Sequence, residues 1–346
     1  LTEMRTRDAK LVDEARMILQ ELNRVASTAH EVWHEGLEQC AALYKVDGDL
    51  DGMLAKLNEL HASLEGEQAS TWGRGDGGVG EGDRDRGSTL DASEGTLRDM
   101  SFHQSYGRDL YDAKIWIDDF AKTRSLLSLH QAWDRYHLCF RAISKQLKNL
   151  RSLELGHVSP ELTRISSLSL AVPGTYQPDG DTVRIQQIRP TVDVISSKQR
   201  PRRLTVLGSD GKFYRFLLKG HEDLRQDERI MQLFGLINVC LDNDRGSKAR
   251  GLSIVRYSVL PLSNNSGLIG WVENCDTMSH LIKQYRESKG IPLNVEQHLM
   301  DSKAPDFARL PLMNKVEVFE SVLNDTAGKD VAKILWLKSK TAGVWI

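Results

Sequence analysis

The residues best suited to chemistry lie in Phe216-Leu-Leu-Lys-Gly-His-Glu-Asp-Leu-Arg-Gln-Asp-Glu-Arg-Ile230. Lys219 ends an apolar run of strand character. Glu222, Asp223, Asp227 and Glu228 follow at the start of a segment with helical spacing through Met231, Phe234, Ile237 and Leu241. A strand fixes a lysine's direction, and an acid at the start of the next helix can hold its ammonium in place. Such a pair can neutralise nucleotide phosphates. The same acids also suit the positive end of a helix dipole as a solvated cluster, and spacing alone favours that plainer reading.

Two further patterns bear on chemistry. His30-Glu-Val-Trp-His34 fits HExxH, two histidines one helical turn apart with a glutamate between them, the spacing that holds zinc. It sits inside a long amphipathic stretch and no further zinc signature follows, so no metal site is predicted. The chain has no GxGxxG or Walker A sequence. The candidate phosphate-covering element is the polar turn in Val194-Ile-Ser-Ser-Lys-Gln-Arg200, whose hydroxyls and backbone N–H groups could form an anion nest. No Ser-His-Asp or Cys-His set is recognisable by spacing.

The elements that must position these residues fall into blocks. Apolar residues at Leu11, Ala15, Ile18, Leu22, Val25, Ala29, Val32, Gly36 and Cys40 predict one long helix over 11–43. A second helix follows through Leu64, and two more are predicted over 101–122 and 125–147, which makes an up-down four-helix bundle. Residues 65–95 are dominated by Gly and Asp and read as a disordered insertion, because so few apolar groups cannot offset the ordering entropy. Beyond Leu150 extended segments are predicted: 183–188, 192–195, a hairpin of 203–207 and 212–218 about Gly208-Ser-Asp-Gly211, 253–260, and 267–272. Helical spacing returns from Met278. The fold class is α+β: a four-helix bundle, then a lobe of antiparallel sheet plus one helix, then the first helices of a helical lobe.

With 346 residues, 40% hydrophobic, 27% charged and a net charge of −2, the chain reads as a soluble multi-domain protein with no bias toward nucleic acid. Cys40, Cys139, Cys240 and Cys275 form no disulfide framework, and no apolar run is long enough for a membrane helix. A cytoplasmic location is expected. The first residue is Leu1 and the chain closes on Gly343-Val-Trp-Ile346 without a polar tail, which reads as a piece of a longer protein.

Trp33-His-Glu-Gly-Leu37, Ser105-Tyr-Gly-Arg-Asp-Leu110, Gln131-Ala-Trp-Asp134, Ala171-Val-Pro-Gly-Thr-Tyr176, Ser197-Lys-Gln-Arg-Pro-Arg202, Leu218-Lys-Gly-His-Glu-Asp-Leu-Arg-Gln-Asp-Glu-Arg229, Asn265-Ser-Gly-Leu-Ile-Gly-Trp-Val272 and Lys315-Val-Glu-Val-Phe-Glu320 together resemble the TOR family of phosphatidylinositol-3-kinase-related Ser/Thr protein kinases. The resemblance covers nearly the whole chain outside the glycine-rich insertion. It divides the chain into the end of a helical FAT region (1–25), an FKBP–rapamycin-binding bundle (26–145), a kinase amino-terminal lobe (146–272) and the start of the carboxy-terminal lobe (273–346).

By position, the resemblance implies that Lys219 contacts ATP phosphates, with Glu222 and Asp227 as candidate acidic partners, and that Ser197 belongs to the phosphate-covering loop. Ile195, Leu217 and Tyr257 would line the adenine pocket, Ile269, Gly270, Trp271 and Val272 would form the hinge, and Thr277 would lie at the ribose edge. The family's catalytic-loop Asp and magnesium-binding DFG have no counterpart before Ile346, so the chain by itself is expected to be inactive, with the Mg2+ ligands elsewhere. The drug-binding face would comprise Ala41, Lys45, Trp133, Asp134, His137 and Phe140. Ala41, Lys45 and His137 replace residues common in the family (serine, an aromatic and tyrosine), so weakened immunophilin–rapamycin binding is expected. Residues of about 290–328 would hold a WD40-propeller subunit, and membranes would be met only through partners, endomembranes included. A non-catalytic scaffold that recruits partners through its helices is the alternative.

Overall fold

The computed structural model describes residues 2–72, 96–177, 180–326 and 328–345. Two units are formed, Leu1–Trp271 and Val272–Ile346. In the first, a short helix α1 (Thr2–Arg7) leads into α2 (Ala9–Ala26), capped by Asp8, whose carboxylate accepts from the Leu11 N–H at 2.9 Å.

The single long helix predicted over 11–43 is not what forms. The chain breaks at Ser27–Thr28 and restarts as α3 (Ala29–Ala42). Glu31 causes the restart: its carboxylate accepts from the Thr28 backbone N–H at 3.0 Å and the Thr28 hydroxyl at 2.9 Å, half of a capping box. The apolar spacing runs through the break because the two helices serve different cores. Ile18, Leu22 and Val25 of α2 pack with the sheet, whereas Trp33, Leu37 and Cys40 of α3 pack in the bundle.

The bundle is completed by α4 (Leu50–Trp72), α5 (Leu97–Thr123) and α6 (Leu126–Asn149). Helix α4 runs into the stretch predicted as insertion, and residues 73–95 of that stretch lie outside the described residues. Thr96 and Asp99 cap α5, the Thr96 hydroxyl donating to the carboxylate at 2.6 Å. Within the largely apolar bundle core, His61 Nε2 lies 2.8 Å from the Tyr136 hydroxyl, with its ring edge-on to Trp33 at 5.1 Å.

The lobe that follows contains β1 (Ser152–Glu154), two short helices α7 (Leu155–Val158) and α8 (Pro160–Thr163), β2 (Ile185–Ile188), β3 (Thr191–Val194), β4 (Arg202–Gly208), β5 (Phe213–Gly220), α9 (Arg225–Asn243), α10 (Arg245–Ala249), β6 (Val259–Ser263) and β7 (Ser266–Gly270). All pairings are antiparallel, in the order β1-β3-β4-β5-β7-β6 with β2 also on β4. Alternation gives the sheet two faces. Leu204, Val206, Phe216, Leu218 and Leu268 turn toward α2 and form the lobe core with it. Residues 253–258, predicted as strand, are not: the Asn238 side chain takes both the N–H and the C=O of Ile254, at 2.7 and 2.8 Å, so these groups are unavailable to a ladder.

The second unit is helical: α11 (Met278–Lys289), α12 (Val295–Lys303), α13 (Leu312–Asp325), α14 (Asp330–Lys338) and α15 (Ala342–Trp345). Leu281, Tyr285 and Ile334 form its small core, and Arg286 ties three helices together by pairing with Glu296 and with Asp330 at 2.7 Å. Among the described residues, no helix is long and apolar enough to cross a membrane.

Burial pushes the His61 imidazole down to about 4, and burial with the nearby Arg98 charge does the same to His30. Both rings are neutral in the fold but take up protons near 6.5 once unfolded. Their stabilising contribution is therefore complete above pH 6.5 and lost as the pH falls toward 4, on the order of 2–3 kcal/mol each. His61→Gln keeps a partner for Tyr136 and does not titrate. In urea unfolding it should lose about 2 kcal/mol less than the parent between pH 7 and pH 4.5; identical losses would contradict the assignment.

Candidate functional site

The face of the sheet opposite α2 carries the predicted chemistry. Cross-strand register sets Arg203, Leu217, Ile269 and Val259 side by side across β4, β5, β7 and β6. Lys219 lies on that face one pair along from Leu217, opposite Gly267. Its ammonium is 2.9 Å from the Glu222 carboxylate, and both side chains are partly exposed. The Glu222 N–H donates to the Asn265 carbonyl at 3.1 Å, which ties the residue after the turn to the β6–β7 hairpin. Of the two acids predicted beside Lys219, the structure brings only Glu222 to it. Asp227 lies in the first turn of α9, where it favours the helix dipole.

The Ser197 turn links β3 to β4 and is exposed. It is closed by Ile195 N–H to Pro201 C=O at 2.9 Å, and Arg200 within it takes φ +44°. Ile195 is half-buried at its base. At the other end of the face, the Gly270 N–H donates to Ser258 C=O at 2.7 Å and the Trp271 N–H to Arg215 C=O at 2.9 Å. The Arg203 guanidinium lies over the Trp271 ring, 5.8 Å from its centroid. Tyr257 is exposed in the irregular segment before β6. Val272 and Thr277 belong to the second unit, where the Thr277 hydroxyl caps α11 by accepting from the His280 N–H at 3.2 Å. An apolar cavity of about 320 Å³, lined by Ile18, Leu22, Val206, Phe216, Leu260 and Leu268, lies on the core face and not on the Lys219 face.

What holds the site's edge is a pair that spacing did not reveal. Arg202, at the start of β4, is fully buried (0% exposed) and bonds the Glu31 carboxylate of α3, itself 4% exposed. Burial opposes ionisation of Glu31, but the Arg202 charge and the bonds from Arg202 and Thr28 outweigh it and hold the carboxyl below its usual range. Arg202 also donates to the Arg200 carbonyl at 2.5 Å, so the same side chain braces the Ser197 turn. The glutamate of HExxH is thus a helix cap and an arginine partner. His30 packs edge-on to Phe102 at 4.9 Å and His34 stacks on Phe140 at 4.5 Å. Among the described residues no group of three or more His, Cys, Asp or Glu side chains is arranged to hold a metal ion.

Residues 213–346 match the family described as phosphatidylinositol 3- and 4-kinase, and residues 21–72 and 86–145 match the FKBP12-rapamycin binding domain. The chain is 47% identical over 344 residues to a Serine/threonine-protein kinase TOR from Oryza sativa, covering 99% of this chain and 13% of the relative. It is 47% identical over 345 residues to Serine/threonine-protein kinase mTor from Drosophila melanogaster (100% and 13%) and 44% over 347 residues to TOR2 from Saccharomyces cerevisiae (100% and 13%). The chain belongs to the TOR family. It spans about an eighth of the length of these relatives.

The residues assigned to the TOR family's drug-binding face gather on α3, α6 and the π-helical turn Leu43–Asp47. Trp133, Phe140 and Ala41 are half-buried, and Asp134, His137 and Lys45 are exposed. Tyr44, which sequence reasoning did not assign, stacks on Trp133 at 6.1 Å. Its place directly before Lys45 was the available signal.

Glu31→Gln would leave Arg202 buried without a counter-charge and should cost about 3–5 kcal/mol in urea unfolding. The double variant Glu31→Leu/Arg202→Met should recover at least half of that loss. A single-variant cost within experimental error of zero would contradict the role given to the pair.

Proposed function

We propose that this chain carries the ATP-holding part of a TOR-type Ser/Thr protein kinase, which transfers the γ-phosphoryl of MgATP to protein hydroxyls in growth and nutrient signalling. The observation that carries this reading is the Lys219–Glu222 pair, held at 2.9 Å on the same sheet face as Leu217 and Ile269. ATP, when bound, supplies the phosphoryl group. The residues present suit it: a lysine held by a counter-ion for phosphate charge, an exposed hydroxyl-bearing turn at Ser197, and apolar side chains for a base. The proposed hinge is the stretch Ile269, Gly270, Trp271 and Val272, of which the Gly270 and Trp271 amides are engaged inside the first unit. Ile195 and Tyr257 are proposed to line the base within the first unit, and no residue of this chain is assigned to Mg2+.

The exposed residues Leu312, Met313, Val316, Phe319 and Leu323 form one stripe along α13. They support docking of a WD40-propeller subunit on residues of about 290–328, and protein substrates are the expected acceptors. A cytoplasmic site of action, with endomembranes reached through partners, fits the same reading.

Lys219→Met in the full-length protein should lower ATP-dependent phosphorylation of a protein substrate by at least about 100-fold, the scale for removing a charge-stabilising group. Activity within twofold of the parent would overturn the reading. On the bundle, Lys45→Phe restores the aromatic that the family commonly has. It should strengthen capture by an immunophilin–rapamycin complex by about tenfold, the equivalent of ~1.4 kcal/mol. Unchanged capture would remove Lys45 as the cause of weakened binding.

A further inference from the structure

The end of β5 is seated on the junction between α2 and α3. A Cβ on Gly220 would lie 2.4 Å from the Ala26 carbonyl oxygen, so only glycine allows the strand to pass this close. The next residue, His221, takes φ +60°, a conformation that costs energy for a residue with a side chain and persists where contacts over-determine it. The contacts are present. His221 Nδ1 is 2.7 Å from Glu35 Oε2, and Nε2 is 2.9 Å from Ser27 Oγ. A carboxylate only accepts, so Nδ1–H donates to Glu35, and the other ring nitrogen is bonded to the Ser27 hydroxyl. Beside this, the Ser266 hydroxyl of β7 bonds the Asn23 side chain of α2.

These contacts bracket the functional pair. Lys219 and Glu222 meet across the turn formed by Gly220 and His221, so the conformation of that turn sets where the ammonium stands. A relaxed backbone at 221 would carry Glu222 away from Lys219. We propose that His221 is a positioning residue, and that the Ser27–His221–Glu35 contacts are the means by which the helical bundle fixes Lys219 for ATP phosphates. This inference rests on the reading of Lys219 as the phosphate lysine.

The test uses the full-length protein. His221→Asn tolerates the left-handed backbone but is too short to reach both Ser27 and Glu35. Glu35→Ala removes one arm and Glu35→Gln preserves an acceptor oxygen. His221→Asn and Glu35→Ala should each raise the KM for ATP about fivefold, the effect of one lost hydrogen-bonded contact, and leave the KM for the protein substrate unchanged. Their double variant should be no worse than either alone, and Glu35→Gln should be closer to the parent. In the nucleotide-free protein, amides of 216–224 should exchange hydrogen faster in both variants. An unchanged ATP KM with unchanged exchange, or effects that add in the double variant, would overturn the proposal. Ser27→Ala, which leaves the strand backbone intact, gives the same test if His221→Asn fails to fold, and an unchanged ATP KM there would count equally against it. Lys219→Met run in parallel separates the two ideas. If it is silent, the kinase reading and this inference fall together; if it is inactive while His221→Asn is silent, only this inference falls.

Discussion

The buried pair between Glu31 and Arg202 is the constraint on which the rest of the first unit depends. Two charges out of water are tolerable only when each meets the other, and further bonds lower the cost, although the buried Arg202 Nε has no partner among the described residues. Glu31 also caps α3 through Thr28, and Arg202 also braces the Arg200 carbonyl. One carboxylate therefore ties the start of α3 to the start of β4. Because α2 belongs to the sheet's core and α3 to the bundle's, this pair joins the two cores at the point where the Ser197 turn leaves the sheet.

The chemistry-bearing strand was legible because alternation is a strong local signal. Phe216 and Leu218 face α2 while Leu217 and Lys219 face away, and the hairpin before them closes about Gly208 and Gly211, with the Gly211 N–H donating to Gly208 C=O at 3.0 Å. The break at Ser27–Thr28 was hidden, because the four-and-three spacing of apolar residues continues across it although the residues serve two different cores. The sign that was there, Thr28 followed three positions later by Glu31, is a capping box and was masked by the zinc-like HExxH pattern. The 253–260 stretch misled for another reason: its β-branched composition suits a strand, but Asn238 satisfies the backbone of Ile254 from a distance of 16 residues. Long-range side-chain contacts of this kind, like the one between Glu31 and Arg202, leave no periodic trace in a sequence.

The division of labour that results suits phosphoryl transfer, in which the protein's task is positioning and electrostatics. The sheet supplies direction for Lys219 and apolar flanks at Leu217 and Ile269. The turn through Gly220 and His221 supplies the counter-ion, and the helical junction supplies the fixed point against which that turn is set. On the proposed reading, the bundle is part of the mechanical frame of the Lys219 face.

The central claim is that the β5 end and the α2–α3 junction form one mechanical body. Native-state hydrogen exchange of the full-length protein measures it directly by comparing the opening free energies of the amides of 216–222 with those of 27–32. The account predicts that both segments open together, with the same free energy and the same response to Glu31→Gln. Exchange of 216–222 through an opening that leaves 27–32 protected would contradict it.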